Sequence, residues 1–161
     1  MTIKVGDAVP AMTLIKATAD GPAPVTTGDL FGGRKVALFS VPGAFTPTCS
    51  ARHLPGYVDN AETMHAKGVD EIICLSVNDA FVMAAWGKSA GTGGKVTMIA
   101  DGNADFSKAL GLTFDGSNFG MGVRGQRFSM IVKDGTVTEL NIEPPGAFGV
   151  SSAEHLLGQI A

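Results

Sequence analysis

The chain has 161 residues, of which 45% are hydrophobic, 17% are charged and two are cysteines. So apolar a composition excludes a disordered chain, and so few cysteines exclude a disulfide-stapled scaffold. The net charge of −3 gives no electrostatic reason to expect nucleic acid or a membrane surface as partner. A single domain spanning residues 1–161 is expected, because a chain of this length buries about two-thirds of its unfolded surface in one core. The first seven residues lack an apolar core of signal-peptide length, and no apolar run approaches the ~18 residues of a membrane span. A cytoplasmic protein with reduced thiols is therefore expected. Sparse charge leaves little polar material to cover the surface, which favours a subunit contact over part of it.

In chain order, the first clear element is the apolar run at residues 36–41, which follows Gly32-Gly33-Arg34-Lys35 and reads as a buried strand. A helical pattern starts at Thr48, but Pro55 has no N–H to offer the carbonyl of Ala51, so a kink is expected there. The pattern resumes with Tyr57, Val58, Ala61, Met64 and His65. Residues 72–77 form a second buried strand, and Asn78-Asp79 caps a helix carrying Val82, Ala85 and Trp86 that ends in the glycines at 91–94. A third strand at 96–100 leads into a short helix closed by Gly111. Residues 111–125 hold five glycines (111, 116, 120, 122 and 125) and read as a long loop with little regular structure. Residues 127–132 and 136–142 flank Lys133-Asp134-Gly135, a hairpin signal. Ser151-Ser152-Ala153-Glu154 reads as a capping box opening a final helix through Leu156, Leu157 and Ile160. The expected fold class is α/β, with helices packed on a central mixed sheet.

The chemistry-bearing segment is Val41-Pro42-Gly43-Ala44-Phe45-Thr46-Pro47-Thr48-Cys49. It runs from a strand into a helix and ends on one of the two cysteines. A thiol at a helix N-terminus faces free backbone N–H groups and the positive end of the macrodipole, which favours its thiolate. Thr46 lies three residues ahead, and two prolines stiffen the loop. The alternative is a small buried cysteine after an ordinary turn.

Other patterns carry less. Gly120-Met121-Gly122-Val123-Arg124-Gly125 spells G-x-G-x-x-G, but it neither follows a strand nor opens a helix, as a dinucleotide site requires. Cys49, His53, His65, Cys74 and His155 show no paired metal-ligand spacing, so neither a metal nor any other cofactor is expected. A cysteine hydrolase needs a base across the cleft, whereas His53 lies one turn along the same helix. His53 is expected to orient the loop or to add positive character near the thiol. His65 and His155 read as helix-surface residues, and Cys74, within a strand, reads as inert core.

Residues 42–50 resemble the active-site segment of the peroxiredoxins in its Pro-x-x-x-Thr-x-x-Cys form. Ala44-Phe45-Thr46-Pro47, His53-Leu54-Pro55-Gly56 and Leu75-Ser76-Val77-Asn78-Asp79 resemble the type II, or fifth, subgroup, and Arg127-Phe128-Ser129-Met130 matches where that family places its arginine. The similarity runs over essentially the whole chain. It implies a thioredoxin-like fold with an N-terminal extension, and reduction of hydrogen peroxide and organic hydroperoxides. The resemblance makes Cys49 the peroxidatic thiol, Thr46 a hydrogen-bond donor to peroxide, Arg127 the stabiliser of thiolate and developing charge, and Pro42 a shield that shapes the pocket. It also implies a homodimer with Phe45 and the Trp86 helix near the two-fold axis. Some members of the subgroup carry a resolving cysteine near the C-terminus, but residues 143–152 contain none here. A one-cysteine cycle is expected, with glutathione, glutaredoxin or thioredoxin as reductant. Plant-like members have a second cysteine at the Cys74 position, which leaves a minor resolving role open. A sulfenic-acid redox sensor acting on a protein partner is the competing class.

Overall fold

The computed structural model describes residues 1–160. Its frame is a seven-stranded sheet built from β1 (Thr13–Thr18), β2 (Gly21–Thr26), β3 (Lys35–Val41), β4 (Glu71–Ser76), β5 (Thr97–Ala100), β8 (Phe128–Lys133) and β9 (Thr136–Ile142), in the order β2-β1-β5-β4-β3-β8-β9. The central strands β3, β4 and β5 run parallel, and every other pairing is antiparallel. Strands buried on both faces need apolar residues at consecutive positions. β3 and β4 meet this, with every residue after the first buried.

Period two then divides the core. Ala37, Phe39, Val41, Ile72, Cys74 and Met98 face one layer, while Val36, Leu38, Ile73, Leu75 and Ile99 face the other. Four helices cover the first face: α2 (Leu54–Asp59), α3 (Ala61–Ala66), α4 (Ala80–Ser89) and α6 (Ala153–Gln159). The second face is closed by α1 (Thr27–Phe31) and α5 (Asp105–Leu110). This is the mixed-sheet α/β architecture expected from the sequence.

Two sequence expectations are corrected, and one hairpin had left no signal. The glycine-rich stretch 111–125 is not an irregular loop: β6 (Thr113–Asp115) and β7 (Val123–Gly125) pair antiparallel around a 3₁₀ turn at Ser117–Phe119. Strands of three residues are too short to leave a readable alternation, while Gly120 and Gly122 supply the positive φ of the turn. The final helix is capped by Ser152, which accepts from the N–H of His155, one residue later than the expected box. The Ser151 hydroxyl is instead donated to Glu143. The hairpin β1–β2 gave no signal because β2 reads Gly-Pro-Ala-Pro-Val-Thr, and two prolines are tolerated only because it is the edge strand.

Gly111 closes α5 at φ +72°, and a Cβ there would stand 2.5 Å from the Met1 carbonyl oxygen and 2.8 Å from Thr2 Cα. Gly158 lies within α6 with open space around its Cα. Gly111→Ala is expected to destabilise the protein by more than ~1 kcal/mol. Gly158→Ala should stabilise it by up to about 1 kcal/mol. Urea denaturation of the two variants distinguishes them.

Candidate active site

The site forms where β3 ends. After Val41 the chain turns through residues 42–46, with Phe45 held at φ +63°, and re-enters helix at Pro47. A side chain in that left-handed conformation is strained, and the surrounding contacts hold it in place. The Ala44 N–H donates to Asn78 Oδ1 at 2.9 Å, Ser76 Oγ donates to the same oxygen at 2.6 Å, and Thr46 Oγ1 donates to the Gly43 carbonyl at 2.7 Å. Arg124 reaches across from β7, donating to the carbonyls of Met121, Val77 and Pro42.

The expected kink at Pro55 takes a defined form. Residues Cys49–His53 are wound as a π-helix, and the Leu54 N–H donates to the Cys49 carbonyl, five residues back. Since Pro55 cannot donate to Ala51, the wide turn absorbs the missing bond. Cys49 therefore sits in the first turn of helix, fully buried.

Arg127 lies just before β8 and comes to the cysteine because β8 pairs antiparallel with β3, Ser40 opposite Phe128. Its Nη2 donates to Cys49 Sγ at 3.1 Å, and its Nη1 donates to His53 Nδ1 at 2.7 Å. An arginine carries only donors, so Nδ1 must be the acceptor and the imidazole proton must sit on Nε2. That proton is donated to the Ser151 carbonyl at 3.0 Å, which also accepts from Tyr57 Oη at 2.8 Å. Burial, and then the Arg127 charge, push the His53 pKa down from 6.5 to about 3. The ring is neutral, and the expectation that His53 adds positive charge is corrected: its neighbours Phe39, Tyr57 and Phe148 are aromatic. The positive character comes from Arg127 and the helix terminus.

Glu143 completes the arrangement. Its Oε2 accepts from the N–H groups of Gly149 at 2.6 Å and Ser151 at 2.8 Å, and from Ser151 Oγ at 2.6 Å. Burial pushes its pKa up, but these hydrogen bonds outweigh that and hold the carboxyl below its ordinary value.

A cavity of about 560 Å³ opens beside the cysteine, lined by Pro42, Thr48, Phe114, Phe119, Gln126, Arg127, Glu143 and residues 144–147. Cys49 does not line it, but its chain neighbour Thr48 and its hydrogen-bond partner Arg127 do. Of the sequence candidates, the structure thus brings Cys49 and Arg127 into contact, with Pro42 on the cavity wall and Thr46 in the preceding turn. The Thr46 hydroxyl donates to the Gly43 carbonyl, which leaves the lone pairs of its oxygen free to accept. Cys74 is buried opposite Phe39 in β4, and burial, then the neighbouring Cys49, push its thiol well up. Sequence reasoning missed Glu143, Ser151 and Arg124, whose roles depend on backbone atoms that no motif encodes.

A model described as Redoxin matches residues 4–157. Peroxiredoxin-2B of Arabidopsis thaliana is 47% identical over 156 residues, covering 96% of each chain. The chain belongs to the peroxiredoxins. The chloroplastic peroxiredoxin-2E-2 of rice (Oryza sativa subsp. japonica) is 52% identical over 161 residues, covering 97% of this chain and 72% of the rice protein. Reduced Prx3 from Vibrio vulnificus in complex with H₂O₂ superposes with a TM-score of 0.95 at 49% identity, over 99% of this chain and 100% of that one. The fold is accordingly thioredoxin-like, and this peroxiredoxin is a thiol-dependent peroxidase of the type II group.

The burial of His53 has a measurable consequence. Between pH about 6.5 and about 3 the unfolded chain binds a proton at His53 that the folded chain does not. Stability is therefore lost as pH falls through that window. This residue should make the protein on the order of 2 kcal/mol less stable at pH 5 than at pH 7. His53→Asn, which cannot titrate, should lose that slope in urea denaturation at the two pH values.

Proposed function

We propose that this peroxiredoxin runs a one-cysteine cycle in which Cys49 is the peroxidatic thiol and an external thiol is the reductant. The observation that carries the reading is the 3.1 Å contact from Arg127 Nη2 to Cys49 Sγ beside an open cavity. A guanidinium and a helix N-terminus both favour negative charge on that sulfur. The Cys49 thiolate attacks the terminal oxygen of ROOH. The S–O bond forms as the O–O bond breaks, leaving Cys49 as sulfenic acid and the departing alkoxide to take up a proton. Arg127 stabilises the charge that builds on the leaving oxygen. Thr46 Oγ1 accepts from the hydroperoxide O–H, and Pro42 keeps water from the sulfur. Phe114, Phe119, Pro144, Pro145 and Ala147 give the cavity an apolar wall that suits organic hydroperoxides as well as hydrogen peroxide.

The sulfenic acid then condenses with glutathione, releasing water and forming a mixed disulfide, and a second thiol from glutathione, glutaredoxin or thioredoxin restores Cys49. Such an exchange fits a reducing compartment such as the cytoplasm. No cysteine lies in residues 143–152 to take this role internally. Cys74 is a poor substitute: its thiol is buried and held protonated. We also propose a homodimer through the face bearing Phe45, 53% exposed, and Phe81, 72% exposed, with the Phe45 ring 6.4 Å from Trp86. A monomer in sedimentation at micromolar concentration contradicts that part.

Mass spectrometry after one equivalent of peroxide with glutathione tests the cycle. The expected product is a Cys49–glutathione disulfide, absent in Cys49→Ser, with Cys74→Ser keeping most of the turnover. A dominant Cys49–Cys74 disulfide overturns the one-cysteine reading. A single oxidation without turnover when glutathione, glutaredoxin and thioredoxin are each supplied points instead to a redox sensor.

A further inference from the structure

We infer that Glu143 is a positioning residue for the arginine of the active site, acting through the Ser151 carbonyl and the His53 ring. The inference rests on the assignment of Arg127 as the group that acts on Cys49.

The chain of contacts is continuous. Glu143 Oε2 gathers two N–H groups and one hydroxyl from residues 149–151, and this fixes where the Ser151 carbonyl points. That carbonyl accepts from His53 Nε2, which leaves Nδ1 as a lone pair aimed at Arg127 Nη1, 2.7 Å away. The other guanidinium nitrogen is then directed at the sulfur. Arg127 immediately precedes and Glu143 immediately follows the β8–β9 hairpin, and the Glu143 N–H donates to the Arg127 carbonyl at 3.0 Å. The carboxylate is therefore fixed to the same backbone as the arginine it positions.

The chemistry explains why the carboxylate acts at one remove. A direct carboxylate–guanidinium pair would hold Arg127 equally well, but it would offset the positive charge that the sulfur and the leaving oxygen need. A neutral imidazole holds the guanidinium without offsetting it. It does so only in the Nε2–H tautomer, and the rigid Ser151 carbonyl selects that tautomer. The groups facing His53 agree with this: Arg127 on one side, the Tyr57 hydroxyl sharing its acceptor, and the Phe39 and Phe148 rings around it. The Phe148 ring also lies 4.7 Å under the Arg52 guanidinium, which helps keep the 144–149 strap over the ring.

Two readouts test the inference. In ¹⁵N-histidine spectra of the reduced protein, His53 should be a single neutral Nε2–H tautomer across pH 5–8. An Nδ1–H tautomer, or a ring that titrates in that range, overturns the inference whatever the variants do. The second readout is the rate of Cys49 oxidation by peroxide, followed through Trp86, whose Nε1 donates to Ser50 Oγ next to the cysteine. Glu143→Leu should slow this step by about tenfold and produce mixed His53 tautomers, while Glu143→Gln, which keeps an acceptor oxygen, should recover most of the rate. A folded Glu143→Leu with wild-type rate and a wild-type His53 spectrum contradicts the inference. So does equal slowing in both variants with the tautomer unchanged. Arg127→Ala separates the two levels: if it too reacts at the wild-type rate, the assignment of Arg127 has failed, and if it is slow while Glu143→Leu is not, only the positioning by Glu143 has.

Discussion

The candidate active site is organised around one forked contact, the Arg127 guanidinium spanning Cys49 Sγ at 3.1 Å and His53 Nδ1 at 2.7 Å. A partly buried positive charge is costly unless it is held by hydrogen bonds. Holding it with a carboxylate would offset its field at the sulfur. The arrangement found here meets both conditions, because one nitrogen faces Cys49 Sγ and the other is held by a neutral ring. The burial of His53, its tautomer and the carbonyl that receives its proton are all consistent with that arrangement.

The fold brings these groups together by pairing strands, and sequence proximity plays little part. Parallel β3 and β4 set the end of the sheet from which the loop at 42–46 emerges. β8 is laid antiparallel against β3, so its first residues arrive beside that same end. Arg127 precedes β8 and Glu143 follows β9, so one hairpin brings both into the site. The π-turn at Cys49–His53 connects the two sides. Because Pro55 breaks the ordinary helical ladder, the chain widens by one residue.

What the sequence made legible follows from length scale. The buried strands, the hairpin at Lys133-Asp134-Gly135 and the kink at Pro55 are written in runs of apolar residues or in single residues with strong backbone effects. Cys49, Thr46 and Pro42 lie within one short segment, where local chemistry pointed to Cys49 and Thr46 and the resemblance added Pro42. Arg127 was reached by resemblance alone, since nothing local marks one arginine at the start of a strand. The hairpin β6–β7 was hidden because three-residue strands carry no period. Of the two roles expected for His53, only the positive charge fails, because its charge state depends on burial by Phe39, Tyr57 and Phe148, which come from three different segments. Glu143 and Ser151 were invisible because their effect passes through backbone N–H and C=O groups.

The most direct test of the account is the rate at which Arg127→Lys reduces peroxide at Cys49. Lysine keeps the positive charge but is a single point of charge, without the planar fork that spans Cys49 and His53. If the fork matters, the second-order rate constant for Cys49 oxidation should fall by at least about tenfold, even though the net charge of the site is unchanged. A lysine variant that reacts as fast as the wild type would show that charge alone suffices, and would contradict the account.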